Sequence, residues 1–409
     1  VSLANNIEFL KHLPKLNEFK GLTGLARGFN PPGKSSRLLE TAGFGSNPGD
    51  LKMFSYLPGD QRARRKLPLV VVLHGCSQNA AGYEVGAGWS TLADRYGFAL
   101  LMPEQKASNN GNGCFNWFNP EDITRDGGEA FSIRQMIARM VRDHGIDQDR
   151  IFVTGLSAGG AMTSVMLAIY PEVFAGGAII AGLPYGIATN LQQAISGMYQ
   201  SPARPARELG DLVRNASSHK GPWPKLSVWH GSADRTVNPI NASEIVKQWL
   251  DVHHLPPAPM SESTVDGYPR ALWWNADGET LVESYTITDM AHGTPLGIGD
   301  NDERYGTEGA FLIEAGISSS YHIASFFGLT GRVHKPKEAL EPVAEAALTT
   351  ITIAPEFPPP PPPSPEINAI PWPLAVSPGR AKPRRPSQRP AIDVSAVITR
   401  ALTAAGLMK

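Results

Sequence analysis

Ile151-Phe152-Val153-Thr154-Gly155-Leu156-Ser157-Ala158-Gly159-Gly160 is the stretch on which the reading of this chain turns. Its first four residues are β-branched or aromatic, the composition of a short buried strand. Gly-x-Ser-x-Gly follows, and then Ala161-Met162-Thr163-Ser164-Val165-Met166-Leu167-Ala168, which reads as a helix stopped by Pro171. Strand, sharp turn and helix are the context in which a serine becomes an exposed nucleophile. The turn strains the serine backbone and leaves no space for side chains beside it, hence the glycines. It also aims the N–H of Ala158 and the helix N-terminus at a developing oxyanion. In a chain with 41 glycines the bare pattern arises readily by chance. The strand before it and the helix after it turn the pattern into a catalytic expectation.

The 409 residues are 42% hydrophobic and 18% charged, enough for a sizeable core in one large domain with appendages. A net charge of −1 provides no global field to recruit nucleic acid or an anionic membrane. No apolar run approaches the roughly 18 to 20 residues of a spanning helix. Residues 1–19 carry charges throughout and contain no apolar stretch of the signal-peptide kind. Cys76 and Cys114 are too few for a disulfide scaffold and lack metal-ligand spacing, so no metal or cofactor is expected.

Working outward, Leu51–Leu57 alternates as a first strand. Leu67–Leu73 is a near-continuous apolar run of the kind buried on both faces, and Phe98–Pro103 is the next. Trp89–Tyr96 suits a helix, and Ala130, Ile133, Ile137, Met140 and Val141 recur at helical spacing. Ala178–Leu183 and Leu226–Gly231 read as strands and Asn241–His253 as a helix. Leu191–Arg214 reads as a mostly helical insertion with little core signal. Tyr268–Trp274 and Leu281–Thr288 form a hairpin about Asn275-Ala276-Asp277-Gly278, and Ala310–Phe327 is expected to be a closing helix. Strands alternating with helices imply a doubly wound, mostly parallel sheet, the α/β-hydrolase fold with its nucleophile elbow. The expected organisation is an N-terminal arm (1–40), a catalytic domain (41–335), a Pro-rich basic linker (336–391) and a C-terminal amphipathic helix (392–409). Residues 358–363 are all proline, which no core element can run through.

A serine hydroxyl needs a base, and the base needs an orienting acid. In α/β-hydrolases the chain order is Ser, then Asp or Glu, then His. Asp234 follows a late strand and His292 lies beyond the last one. Asp277 sits in a hairpin turn that favours Asp for backbone reasons, and Asp289 is too close to His292. His219 and His230 precede the acid, His253 and His254 end a helix, and His322 lies within one. His74-Gly75-Cys76 ends a buried strand, and the N–H of Cys76, or next to it that of Ser77, is the second oxyanion donor expected. His74 itself reads as a structural hydrogen-bonder. Phe115-Asn116-Trp117-Phe118 lies in the long loop 106–126. There Trp117, with Phe118 and Phe115, is expected to wall a substrate cleft. A Cys76–Cys114 disulfide would pin that loop to the oxyanion turn. Two free thiols, as a reducing cytosol would leave them, are the other reading.

Leu73-His74-Gly75-Cys76, Gly113-Cys114-Phe115-Asn116-Trp117-Phe118, Gly155-Leu156-Ser157-Ala158-Gly159-Gly160, Trp229-His230-Gly231-Ser232-Ala233-Asp234 and Ala291-His292-Gly293 together resemble the polyhydroxybutyrate-depolymerase-type esterases. These are serine α/β-hydrolases that also include feruloyl and acetylxylan esterases. The resemblance spans about residues 40 to 330. It implies Ser157 as nucleophile, Asp234 as acid and His292 as base, with a short-chain polyhydroxyalkanoate ester as substrate. It implies an extracellular location, with a cytoplasmic one as the alternative where no signal peptide is visible. Feruloyl or acetylxylan esters are the rival substrates, and a non-catalytic granule-binding scaffold is the reading from another class.

Overall fold

Side chains along β3 (Leu67–Leu73) alternate between two cores: Leu69, Val71 and Leu73 enter one, Val70 and Val72 the other. This period-2 division is what a strand buried on both faces must show. The computed structural model describes residues 36–59, 66–200, 203–298 and 305–331. The expected N-terminal arm up to residue 35, the proline-rich linker and the C-terminal helix lie outside the described residues.

The elements on either side of β3 are β1 (Leu39–Thr41), β2 (Lys52–Tyr56), β4 (Ala99–Glu104), β5 (Ile146–Leu156), β6 (Gly176–Ile180), β7 (Lys225–Gly231), β8 (Ser261–Val265), β9 (Tyr268–Trp274) and β10 (Thr280–Ile287). They form a 10-stranded sheet in the order β1-β2-β4-β3-β5-β6-β7-β10-β9-β8. The run from β4 through β10 is parallel, and the flanking strands are antiparallel. Helices α1 (Ala80–Ala87), α2 (Trp89–Tyr96) and α8 (Ser319–Phe326) pack on one face. Helices α3 (Gly128–His144), α4 (Ala158–Ile169), α6 (Ala206–Arg214) and α7 (Ile240–Val252) pack on the other. Helix α5 (Leu191–Gln200) lies in the insertion. Every residue of α4 is buried, which is why its sequence has no polar face. Each large apolar side chain so enclosed contributes roughly 1.5–3 kcal/mol.

The structure differs from the sequence reading at the closing helix, at helix α1 and in the insertion. Residues 310–318 do not continue the closing helix. Phe311 (φ 62°) and Gly316 (φ 76°) break it. Between them β12 (Leu312–Glu314) pairs with β11 (Thr294–Leu296), and the helix begins only after the Ser318 cap. Helix α1 escapes the sequence reading because it contains glycines. A Cβ at Gly86 would lie 2.1 Å from Leu312 Cδ1, so the glycine admits β12. The insertion also reaches the core through the fully buried Leu209 and Val213 of α6.

Candidate active site

The site lies where the parallel strands end. β5 stops at Leu156, and Ser157 takes φ 57°, ψ −118° before α4 begins. A non-glycine residue there costs about 1–3 kcal/mol, which its surroundings must offset. The Ser157 N–H donates to the Ile180 carbonyl at 2.9 Å, and its own carbonyl accepts from the Ala161 N–H at 2.8 Å. The flanking glycines let the helix start sit against β3. A Cβ on Gly155 would be 2.4 Å from the Gly159 carbonyl oxygen, and one on Gly159 would be 2.4 Å from that of Leu73. The Ser157 hydroxyl does not cap the helix, which leaves it available for chemistry.

The turn after β3 faces this helix start. The Ser77 N–H donates to the Asn112 carbonyl at 2.8 Å and is thereby used. Among the described residues the N–H groups of Cys76 and Ala158 have no backbone acceptor. Gln78 holds the turn, its Oε1 accepting from the Gly75 N–H at 2.9 Å. His74 is fully buried, accepts from the Gln105 N–H at Nε2 (3.2 Å) and donates from Nδ1 to the Gly75 carbonyl (2.8 Å). Both ring nitrogens are thus committed to structure, and burial lowers the basicity of the ring although the Gly75 bond works the other way.

A disulfide joins Cys76 to Cys114 and so fastens the turn to the aromatic loop. Within that loop Phe115 is 0% exposed and packs 5.0 Å from the His74 ring. It therefore supports the turn from within the core and offers no wall to a cleft, contrary to the sequence expectation. Trp117 keeps 7% exposure and stands edge-on to the half-buried Phe118. Glu129, which nothing in the sequence singles out, anchors the loop. Its carboxylate accepts from Gln105 Nε2, Asn109 Nδ2, Asn116 Nδ2 and the Asn116 N–H. Burial pushes this carboxyl up to about 8 against the pull of those donors.

Asp234 and His292 meet because β7 and β10 are parallel neighbours whose following loops are laced together. The Ser232 N–H donates to Ile287, the Ala233 N–H to Met290, and the Asp289 N–H to Ser232 Oγ. Gly231 allows the contact, since a Cβ there would be 2.3 Å from the Met290 carbonyl oxygen. Nδ1 of His292 lies 2.7 Å from Oδ2 of Asp234, while Oδ1 accepts the N–H groups of Thr236 (2.8 Å) and Val237 (2.9 Å). Burial works to raise the Asp234 carboxyl. The hydrogen bonds from His230 and His292 prevail and hold it well below the usual carboxylate range. His230, set aside in the sequence as a base, thus also stands on this carboxylate. Its position in Trp-His-Gly-x-x-Asp was the one available signal.

The rival residues lie elsewhere. Asp277 is exposed in its turn, with its N–H on Asn275 Oδ1. His219, His253 and His322 bond to Pro222, Pro224 and Asp266 respectively. Among the described residues no group of three or more His, Cys, Asp or Glu side chains is placed to hold a metal ion. No helix among them is long and apolar enough to cross a membrane.

Residues 51–259 match the family described as Esterase PHB (polyhydroxybutyrate) depolymerase. The chain is 47% identical over 295 residues to poly(3-hydroxyalkanoate) depolymerase C of Paucimonas lemoignei, an alignment covering 72% of this chain and 70% of that one. It is 33% identical over 268 residues to an acetylxylan esterase of Coprinopsis cinerea, covering 64% and 70%. An acetyl xylan esterase structure from Aspergillus awamori superposes with a TM-score of 0.60 at 24% identity, over 71% of this chain and 99% of the other, a likeness of fold. With a family match over half its length and a relative sharing nearly half of the aligned residues, this chain belongs to the PHB depolymerase family of esterases, built on the α/β-hydrolase fold.

Proposed function

We propose that the protein is a serine esterase that cleaves short-chain polyhydroxyalkanoate or its oligomers through an acyl-enzyme. The observation that carries the chemistry is the 2.7 Å contact between His292 Nδ1 and a buried, ionised Asp234. That contact puts the His292 proton on Nδ1 and leaves Nε2 as the base. Ser157 Oγ attacks the ester carbonyl as Nε2 takes its proton. The carbonyl oxygen becomes an oxyanion received by the N–H groups of Ala158 and Cys76. Collapse breaks the acyl–oxygen bond, and the Nε2 proton leaves with the alcohol. Water then attacks the acyl-serine by the same steps, releasing the acid and restoring Ser157.

The identity to a poly(3-hydroxyalkanoate) depolymerase supports the choice of substrate. We assign the contact with the polyester to Trp117 and Phe118, aromatics of the loop that the Cys76–Cys114 bond fastens to the turn after β3. The Cys76–Cys114 bond fits work in an oxidising compartment. The acetylxylan esterase relative supports acetylated xylan as the second reading. Turnover of hydroxybutyrate oligomers, amorphous poly(3-hydroxybutyrate), acetylated xylan and methyl ferulate, measured side by side, tests the proposal. Oligomers and polymer are expected to be turned over at least tenfold more efficiently than the others. A preference for either plant ester overturns the substrate, and loss of no activity in Ser157→Ala overturns the mechanism.

A further inference from the structure

His230 takes no part in the mechanism above, yet it is buried at 3% exposure beside the acid. Its Nε2 lies 2.9 Å from the Val237 carbonyl oxygen and 3.2 Å from Asp234 Oδ2. Both oxygens are acceptors only, so Nε2 carries the proton and presents it to both. Nδ1 has no hydrogen-bond partner among the described residues. The ring thereby closes a loop of contacts. His230 holds the carbonyl of Val237, the Val237 N–H holds Asp234 Oδ1, and Oδ2 stands between two imidazoles. Opposite His230 on β10 stands Thr286, and the titratable side chains acting on Asp234 are His230 and His292.

We infer that His230 is a positioning residue for the reaction, one that fixes the Asp234 carboxylate and shares its Oδ2 with His292. The inference rests on the proposed roles of Asp234 and His292. A carboxylate oxygen that already accepts one proton donor is a weaker acceptor for a second. With His230 present, Oδ2 is shared between two donors; its removal leaves Oδ2 wholly to the His292 Nδ1–H, which strengthens that one contact.

Two near-isosteric variants separate this role from packing. His230→Gln keeps a donor at the place of Nε2, whereas His230→Asn places its amide near Nδ1 and leaves Oδ2 and Val237 without one. The full chain carrying each change is assayed on p-nitrophenyl butyrate from pH 4 to 9, with rates normalised to the serine titrated by a fluorophosphonate. His230→Asn is expected to lower kcat about tenfold with KM within twofold, the loss of about one hydrogen bond's worth of orientation. Its acid limb in kcat/KM is expected to move up by about 0.5 pH unit. His230→Gln is expected to recover kcat to within about threefold and to return the limb towards the parent's. An unmoved acid limb in His230→Asn, or equal behaviour of the two variants, overturns the inference. If His230→Asn fails to fold, His230→Gln is compared with the parent alone: kcat within about threefold and an acid limb in the parent's place uphold the inference, and a loss beyond about tenfold overturns it. Ser157→Ala and Asp234→Asn run alongside. Should those two retain activity, the proposed triad fails. Should they lose it while His230→Asn matches the parent at every pH, only the role of His230 fails.

Discussion

Nδ1 of His292 stands 2.7 Å from Oδ2 of Asp234 although 58 residues separate the two in the chain. The distance is set by the sheet. β7 delivers the carboxylate, parallel β10 runs beside it, and the Asp289–Gly293 segment folds back over Gly231. The consequence is a fixed imidazole tautomer. Asp234→Asn would present an amide that favours the wrong one, and kcat on a soluble ester is expected to fall by about 10³–10⁴. Circular dichroism should show an intact fold, and KM should change little.

The Cys76–Cys114 bond closes a loop with a sequence separation of 38 residues. Thiol titration of the denatured, unreduced protein is expected to find no free thiol. Replacing both cysteines by serine should lower the unfolding free energy by about 4 kcal/mol on the chain-entropy argument. Because the proposed mechanism gives the Cys76 N–H to the oxyanion, that variant should lose kcat more than KM. Urea denaturation and steady-state kinetics check the two effects separately.

Gly159→Ala would drive a Cβ to 2.4 Å from the Leu73 carbonyl oxygen and 2.5 Å from that of His74, both backbone atoms that cannot step aside. An expected loss of more than about 3 kcal/mol, or failure to accumulate soluble protein, follows. Gly59→Ala is the control, since no described residue lies within 4 Å of its added methyl, and its melting temperature should match that of the parent within error.

His253 donates from Nε2 to the Pro224 carbonyl at 3.1 Å. Burial lowers its pKa from 6.5 to about 4 despite that bond. The unfolded chain takes up this proton below pH 6.5, whereas the folded one waits until about pH 4, so stability falls with acidification across that window. His253→Gln keeps a donor for Pro224 and removes the titration. Its unfolding free energy, measured in urea at pH 7 and pH 4.5, should fall less than the parent's between the two.

Every residue assigned to the chemistry precedes the proline run at 358–363. A chain ending near Leu340 is therefore expected to fold and to keep soluble-ester turnover within about threefold, under roughly 1 kcal/mol in activation free energy. Expression of that truncation with a p-nitrophenyl ester assay checks the boundary, and loss of turnover would make the tail part of the catalytic unit.

The sequence by itself determined the order of the parallel strands' chemistry. Period and composition are local quantities, so the runs at 67–73, 98–103 and 226–231 and the Gly-x-Ser-x-Gly turn were legible without a fold. Chain order then led to Asp234 and His292, each of which follows a recognisable strand, and the structure brings the two side chains together. Contacts across the chain were decided by the tertiary structure. Phe115 looked like a cleft residue until its packing on His74 placed it in the core. Helix α1 was hidden because Gly86, unhelpful to a helix, is required by the approach of Leu312. Residues 311–314 carry an apolar pattern that suits helix or strand, and β11 settled it by offering an edge to pair with. Glu129 has no local signature and His230 only its place in Trp-His-Gly-x-x-Asp, since what makes them matter is the set of donors and acceptors that burial forces them to satisfy.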